Sequence, residues 1–231
     1  MSYDLITFDL DGTLLDTAGE IAAAANGALE ANGVAPRPEH EITRLIGGGT
    51  RELMLKLLAH CFLERPELAE TLRPEAALAA FDAHYDRIVG SAAQPYRGCI
   101  EALEDLQAAG VKLACVTNKE LRYARRLLQS TGLEGFFALT VGGDSLPEKK
   151  PHRSVLRAVA ERLGAATSRM AHLGDSAIDV AAARNAGVAA WAVPYGYNAG
   201  VPIAEARPDR LFESLAEAAA HALACRVGAL A

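Results

Sequence analysis

Positive charge is in short supply in this 231-residue chain: 23 Lys and Arg stand against 29 Asp and Glu, a formal net charge of −6. That deficit argues against a nucleic-acid or anionic-membrane surface, which needs a basic field. Long apolar runs are also missing, and nothing approaches the roughly 20 residues of a membrane span. Cysteine is sparse. Cys61, Cys99, Cys115 and Cys225 show no CxxC spacing, which argues against a disulfide framework or a zinc site and for free, buried thiols in a reducing cytosol. No GxxxxGK[ST] occurs and the first strand-like run carries no GxGxxG, so nucleotide binding is disfavoured. Met1–Asp11 runs straight into a strand-like segment, from which no signal peptide and a soluble, cytoplasmic protein are expected.

What is present is an apolar majority, 51% hydrophobic with 23% charged, too apolar for disorder and long enough for one domain with an insert or for two. Leu5–Asp9 is a short apolar run ending in an acidic, glycine-containing turn, as a buried parallel strand would. Val111–Thr117, Phe137–Val141, Met170–Leu173 and Ala189–Val193 look alike, with helical patterns between them. Leu121, Ala124, Leu127 and Leu128 keep helical spacing up to Gly132; Val155, Leu156, Val159, Ala160 and Leu163 do so up to Gly164. This alternation predicts an α/β protein with a doubly wound parallel sheet. Residues 16–95 carry helical patterns only, around Ile21–Leu29, Leu53–Cys61 and Leu78–Ile88. They predict an all-α insert, with 1–15 and 96–231 forming the core.

Four motifs carry the chemistry. In Asp9-Leu-Asp11-Gly12-Thr13, strand alternation would place both carboxylates on one side, where they ionise comfortably only beside a cation; ordinary turn chemistry is the alternative. Val116-Thr117-Asn118 offers a hydroxyl and an amide to an anion, or simply a helix N-cap. Lys149-Lys150-Pro151 reads as a solvated pair, except that Pro151 suits a first helical turn and would fix the approach of Lys150. In Gly174-Asp175-Ser-Ala-Ile-Asp179 two carboxylates four residues apart would share a helix face near its N-terminus, where the dipole also favours them. All four lie at carboxyl ends of strands, the ligand-binding end of an open α/β sheet. Several hard oxygen donors select Mg²⁺ over zinc, and a lysine beside them suits a phosphate.

In this order DLDGT, VTN, KKP and GDSAID resemble the four motifs of the haloacid dehalogenase superfamily, with a helical cap inserted after the first. Pro194–Gly200 and Arg207-Pro208-Asp209 are most similar to the bacterial phosphoglycolate phosphatases of that superfamily. The resemblance implies a sheet ordered 5-4-1-2-3 and a Mg²⁺-dependent phosphomonoester hydrolase. Asp9 would be the nucleophile and Asp11 the general acid, then base. Asp9, the Asp11 carbonyl and Asp175 would hold the metal, with Asp179 joining through water or orienting the set. Lys150 and Thr117, with Asn118, would neutralise the phosphoryl oxygens. Related sugar phosphomutases carry a cap histidine where Ile21 stands and a lysine near Ile46, so mutase activity is disfavoured; another small phosphoester, pyrophosphate, or a non-catalytic binding role are the alternatives.

The loop Ile46-Gly47-Gly48-Gly49-Thr50-Arg51 is expected to face the site, Gly48 leaving space and Arg51 pairing with a carboxylate of the small phosphorylated substrate; a flexible turn beside a surface arginine is the alternative. His172 and Trp191 are expected in the core, and His152 at a helix cap. Oligomeric state has no signature in the chain.

Overall fold

The computed structural model describes residues 2–227; Met1 and residues 228–231, the ends of the expected core, lie outside the described residues. Strand β1 (Leu5–Phe8) is buried on every residue, the signature of a strand covered on both faces. After it, β2 (Leu15–Asp16) leads into α1 (Ala18–Ala31), α2 (Glu39–Thr43), α3 (Thr50–Glu64), α4 (Leu68–Thr71) and α5 (Pro74–Ile88). The chain returns through β3 (Gln94–Pro95), which pairs antiparallel with β2, so the helical insert leaves and rejoins the sheet layer at one place. The ribbon escapes sequence reading because two residues carry no periodicity, and α2 and α4 are single turns with the same problem.

Beyond the insert, α6 (Cys99–Ala108), β4 (Lys112–Val116), α7 (Leu121–Ser130), β5 (Leu139–Val141), α8 (Arg153–Arg162), β6 (Met170–Gly174), α9 (Ala177–Ala186), β7 (Ala189–Ala192), β8 (Arg210–Leu211) and α10 (Leu215–Val227) complete the alternation. The sheet runs β5-β4-β1-β6-β7-β8, all parallel. This is the expected order with one further edge strand. β8 is exposed and two residues long; Asp209 holds it in place by accepting from the Ala190 amide at 2.8 Å. Among the described residues no helix is long and apolar enough to cross a membrane.

Amphipathic helices close both faces. On α7 the buried positions are Tyr123, Ala124, Leu127 and Leu128, with Tyr123 taking the place expected of Leu121. On α8 they are Val155, Leu156, Val159 and Ala160. The insert packs α1 on α5, Ala24, Ala25, Ala28 and Leu29 lying in the same core as Phe81 and Tyr85. Buried Glu20 fastens its return, accepting from the amides of Gly90 (2.9 Å), Ala92 (2.5 Å) and Ala93 (2.9 Å). All four cysteines are free, three of them buried.

Trp191 on β7 is 1% exposed and meets Tyr3 and Phe212 edge-on, with ring centroids 4.8 and 5.2 Å away. Trp191→Ala is expected to cost about 3–5 kcal/mol, because the sheet cannot close the void. Urea unfolding checks this, and a loss under about 1 kcal/mol would show that the site collapses around the smaller side chain.

Candidate active site

The parallel register brings the motifs together. Phe8 pairs with Cys115 on one side and Leu173 on the other, so β1, β4 and β6 end abreast and the next residues emerge side by side. Asp9 is 8% exposed and accepts from Lys150 Nζ at 2.8 Å. The same ammonium donates to Asp179 Oδ1 at 2.7 Å and to the Val116 carbonyl at 2.7 Å, so all three of its hydrogens are engaged. Pro151 does not open the helix as expected: α8 starts at Arg153, and His152 is its N-cap, accepting from the Ser154 amide through Nδ1.

Asp179 is held from every side. Besides Lys150, its Oδ1 takes His172 Nε2 at 3.1 Å, and its Oδ2 takes the Ser176 amide and hydroxyl at 3.1 and 2.5 Å. Burial alone would raise its carboxyl, but Lys150 and His172 outweigh this and hold it below the usual range. Burial pushes His172 down, so the ring is neutral; Nε2–H then donates to Asp179 and Nδ1 accepts from the Thr7 hydroxyl, 2.8 Å away. The expected core histidine therefore orients the acid that grips Lys150. Asp175 and Asp179 do not share a helix face: α9 begins at Ala177, Asp175 precedes its N-cap, and the turn itself brings the two carboxylates together.

Asp175 accepts from Thr13 Oγ1 at 3.0 Å and from the Tyr197 amide. Burial, then the charges of Asp179 and Asp9, raise it well above an ordinary aspartate. Asp9 is likewise pushed up by burial, with Lys150 opposing, to about 6. Asp9, Asp175 and Asp179 each present an oxygen within 4.8 Å of the others. Asp9 and Asp175, which burial and mutual repulsion keep from ionising easily, lie beside an Asp179 ionised against the one lysine among them, and the three form a donor set that fits a hard divalent cation. Within that set Asp179 has both oxygens committed to protein donors, which leaves Asp9 and Asp175 as the freer pair. Gly12 has a φ of +81°, and a Cβ there would stand 2.5 Å from Asp175 Oδ2; only glycine lets this turn pass so close to the carboxylate.

Asp11 reaches the site by a different route from the one expected. The strand stops at Phe8, and the turn in which the Gly12 amide bonds the Leu15 carbonyl carries Asp11 round. Its Oδ1 accepts from Thr17 Oγ1 at 2.6 Å, and its Oδ2 lies 3.0 Å from Lys119 Nζ. The pocket above is lined by Asp9, Asp11, Thr117, Asn118, Lys119 and Asp175 from one side and by Ile21, Ile46, Gly47, Gly49, Thr50 and Leu53 from the helical insert.

Two expected binding residues, Gly48 and Arg51, need correction. Gly48 does not line the pocket; its carbonyl accepts from Lys149 Nζ at 2.6 Å while Gly47 and Gly49 face inward. Arg51 is exposed and lines a separate hollow with Leu78, Asp82 and Arg122. α3 starts at Thr50, and the turn of about 100° per residue that points Thr50 inward carries Arg51 away. Asn118 lines the pocket, but its Nδ2 donates to the carbonyls of Gly47 and Lys150, both at 3.0 Å, and ties these two walls together. What it leaves over is Oδ1, an acceptor that repels a phosphate oxygen. Thr117 lines the pocket, and its Oγ1 accepts from the Lys119 amide at 3.2 Å, which leaves its hydroxyl proton free.

Sequence reading misses Lys119, 2% exposed and bonded to Tyr85 Oη at 2.9 Å as well as to Asp11. Burial works against its charge; Asp11 and Tyr85 outweigh burial and keep it cationic. Carrying the VTN segment one residue further would have met it. Thr13, Thr17 and Tyr197 are missed too; the Tyr197 hydroxyl accepts from the amides of Thr17 and Ala18 at 3.0 and 3.1 Å and donates to Asp16.

A sequence profile of haloacid dehalogenase-like hydrolases matches residues 3–187. The phosphoglycolate phosphatase of Vibrio vulnificus strain CMCP6 is 38% identical over 92% of this chain and 93% of its own. That of Thiobacillus denitrificans is 38% identical over 93% of each. A crystal structure described as a predicted phosphoglycolate phosphatase from Haemophilus somnus superposes with a TM-score of 0.89 at 31% identity, covering 94% of this chain and 97% of that one. With its aspartates, Lys150 and inserted helices disposed about one sheet end, this chain belongs to the haloacid dehalogenase-like hydrolases.

Proposed function

We propose that this hydrolase cleaves small phosphomonoesters through an aspartyl phosphate on Asp9, that 2-phosphoglycolate is its substrate, and that Mg²⁺ is its resident cation. The observation that carries the reading is the buried contact between Asp9 and Lys150 at the floor of the pocket, 2.8 Å long. A carboxylate so placed attacks phosphorus, the ester P–O bond breaks, and Asp11 gives the departing alkoxide its proton. In the second half Asp11 takes a proton from water, the water oxygen attacks phosphorus, and Asp9 is released with inorganic phosphate. Lys150 and the Thr117 hydroxyl balance charge gathering on the phosphoryl oxygens. A cation held by Asp9, Asp175 and the Asp11 carbonyl would add positive charge at the same oxygens; Asp179 and His172 act only by aiming Lys150.

On this reading residues 16–95 are a cap and 1–15 with 96–231 the core, and the cap keeps bulk water from the acyl phosphate. Ile21, Ile46 and Leu53 make its pocket face apolar, with no side-chain base to hold a sugar hydroxyl, which supports hydrolysis over mutase chemistry. Steady-state kcat/KM over 2-phosphoglycolate, a neutral phosphomonoester and pyrophosphate, each with and without EDTA, tests the proposal. 2-Phosphoglycolate is expected to lead by at least about tenfold and to be inert with EDTA. A lead by pyrophosphate would overturn the substrate, and activity surviving complete metal removal would overturn the cation.

A further inference from the structure

We propose that Lys119 is the specificity-determining residue of this pocket, binding a carboxylate carried one carbon beyond the scissile ester oxygen. The inference rests on the phosphatase reading above and names the group that selects its substrate. Two cations approach the floor of the site, and they are not equivalent. Lys150 is saturated by Asp9, Asp179 and the Val116 carbonyl. Lys119 lines the pocket and has two protein acceptors, Asp11 at 3.0 Å and Tyr85 Oη at 2.9 Å, for three N–H donors. One N–H is left for a ligand.

Its position supplies the reach. On the phosphatase reading Asp11 meets the leaving oxygen, and Lys119 Nζ lies 3.0 Å from Asp11 Oδ2, so an anion one carbon from that oxygen falls within reach of Nζ. Ile21, Ile46 and Leu53 form an apolar wall that offers no competing charge, and among the described residues Lys119 is the one cation lining the pocket. Arg51, the sequence's candidate for this task, opens onto a different hollow.

The test compares 2-phosphoglycolate with 2-hydroxyethyl phosphate, which keeps the skeleton and replaces the carboxylate by CH₂OH. Lys119→Met is expected to lower kcat/KM for the charged ester about 100-fold more than for the neutral one, chiefly through KM. Arg51→Ala should leave both unchanged, and Tyr85→Phe should keep the preference. If Lys119→Met lowers both esters equally, Lys119 serves only to position Asp11 and the proposal is overturned. A parent enzyme that prefers the charged ester with a mutant that keeps this preference rejects Lys119 alone; a parent without preference rejects the phosphoglycolate reading as well. Should the mutant not fold, inhibition of the parent decides: 3-phosphonopropionate is expected to bind at least tenfold more tightly than propylphosphonate, and equal inhibition overturns carboxylate recognition.

Discussion

Asp9→Asn is expected to lower kcat by at least about 10⁴-fold and to abolish phosphorylation of the protein by its substrate. An amide has no anionic oxygen for phosphorus, and of the two carboxylates that accept from the saturated Lys150 among the described residues, Asp9 and Asp179, it is Asp9 that lines the pocket. Burial pushes Asp9 up to about 6, so above neutral pH it is in the ionised form the attack needs. Rapid-quench kinetics with mass detection of the phosphoprotein measures both effects. Turnover within tenfold of the parent would remove Asp9 from the nucleophile's role.

Lys150→Met should be nearly as severe, lowering kcat/KM by about 10³-fold through the loss of charge opposite the phosphoryl oxygens. It should also destabilise the fold by about 3–5 kcal/mol, because Asp9 and Asp179 would be left buried without their counter-ion. The pH dependence has a definite sign. Lys150 is what opposes the burial of Asp9, so its removal raises the Asp9 carboxyl further and moves the ascending limb of the residual rate to higher pH. Lys150→Arg should not rescue, since three acceptors at 2.7–2.8 Å are built for a compact ammonium and not a planar fork. A pH–rate series with urea unfolding checks these outcomes; a variant with parental kcat/KM would show that Lys150 is structural only.

Much of this site was legible because strand ends are legible. The apolar runs stop where Asp9, Thr117 and Asp175 begin, and a parallel sheet must set such ends beside one another. The errors fall where direction, not position, was at stake. Asp11 arrives by a turn rather than by strand alternation, and Asp175 by the turn before α9 rather than by a helix face. Gly48 and Arg51 share a loop with inward-facing Gly47, Gly49 and Thr50, yet point elsewhere.

The sequence by itself determined the α/β alternation, the helical insert and the identity of the acids and the lysine, since periodicity and motif order are local properties of the chain. Only the tertiary structure decided that Asp179, oriented by His172, grips Lys150, that Lys119 is drawn into the pocket and that Arg51 is left outside. Those choices depend on which acceptors other elements bring within about 3 Å of a side chain, and hydrogen bonds and ion pairs across long sequence separations have no local signature.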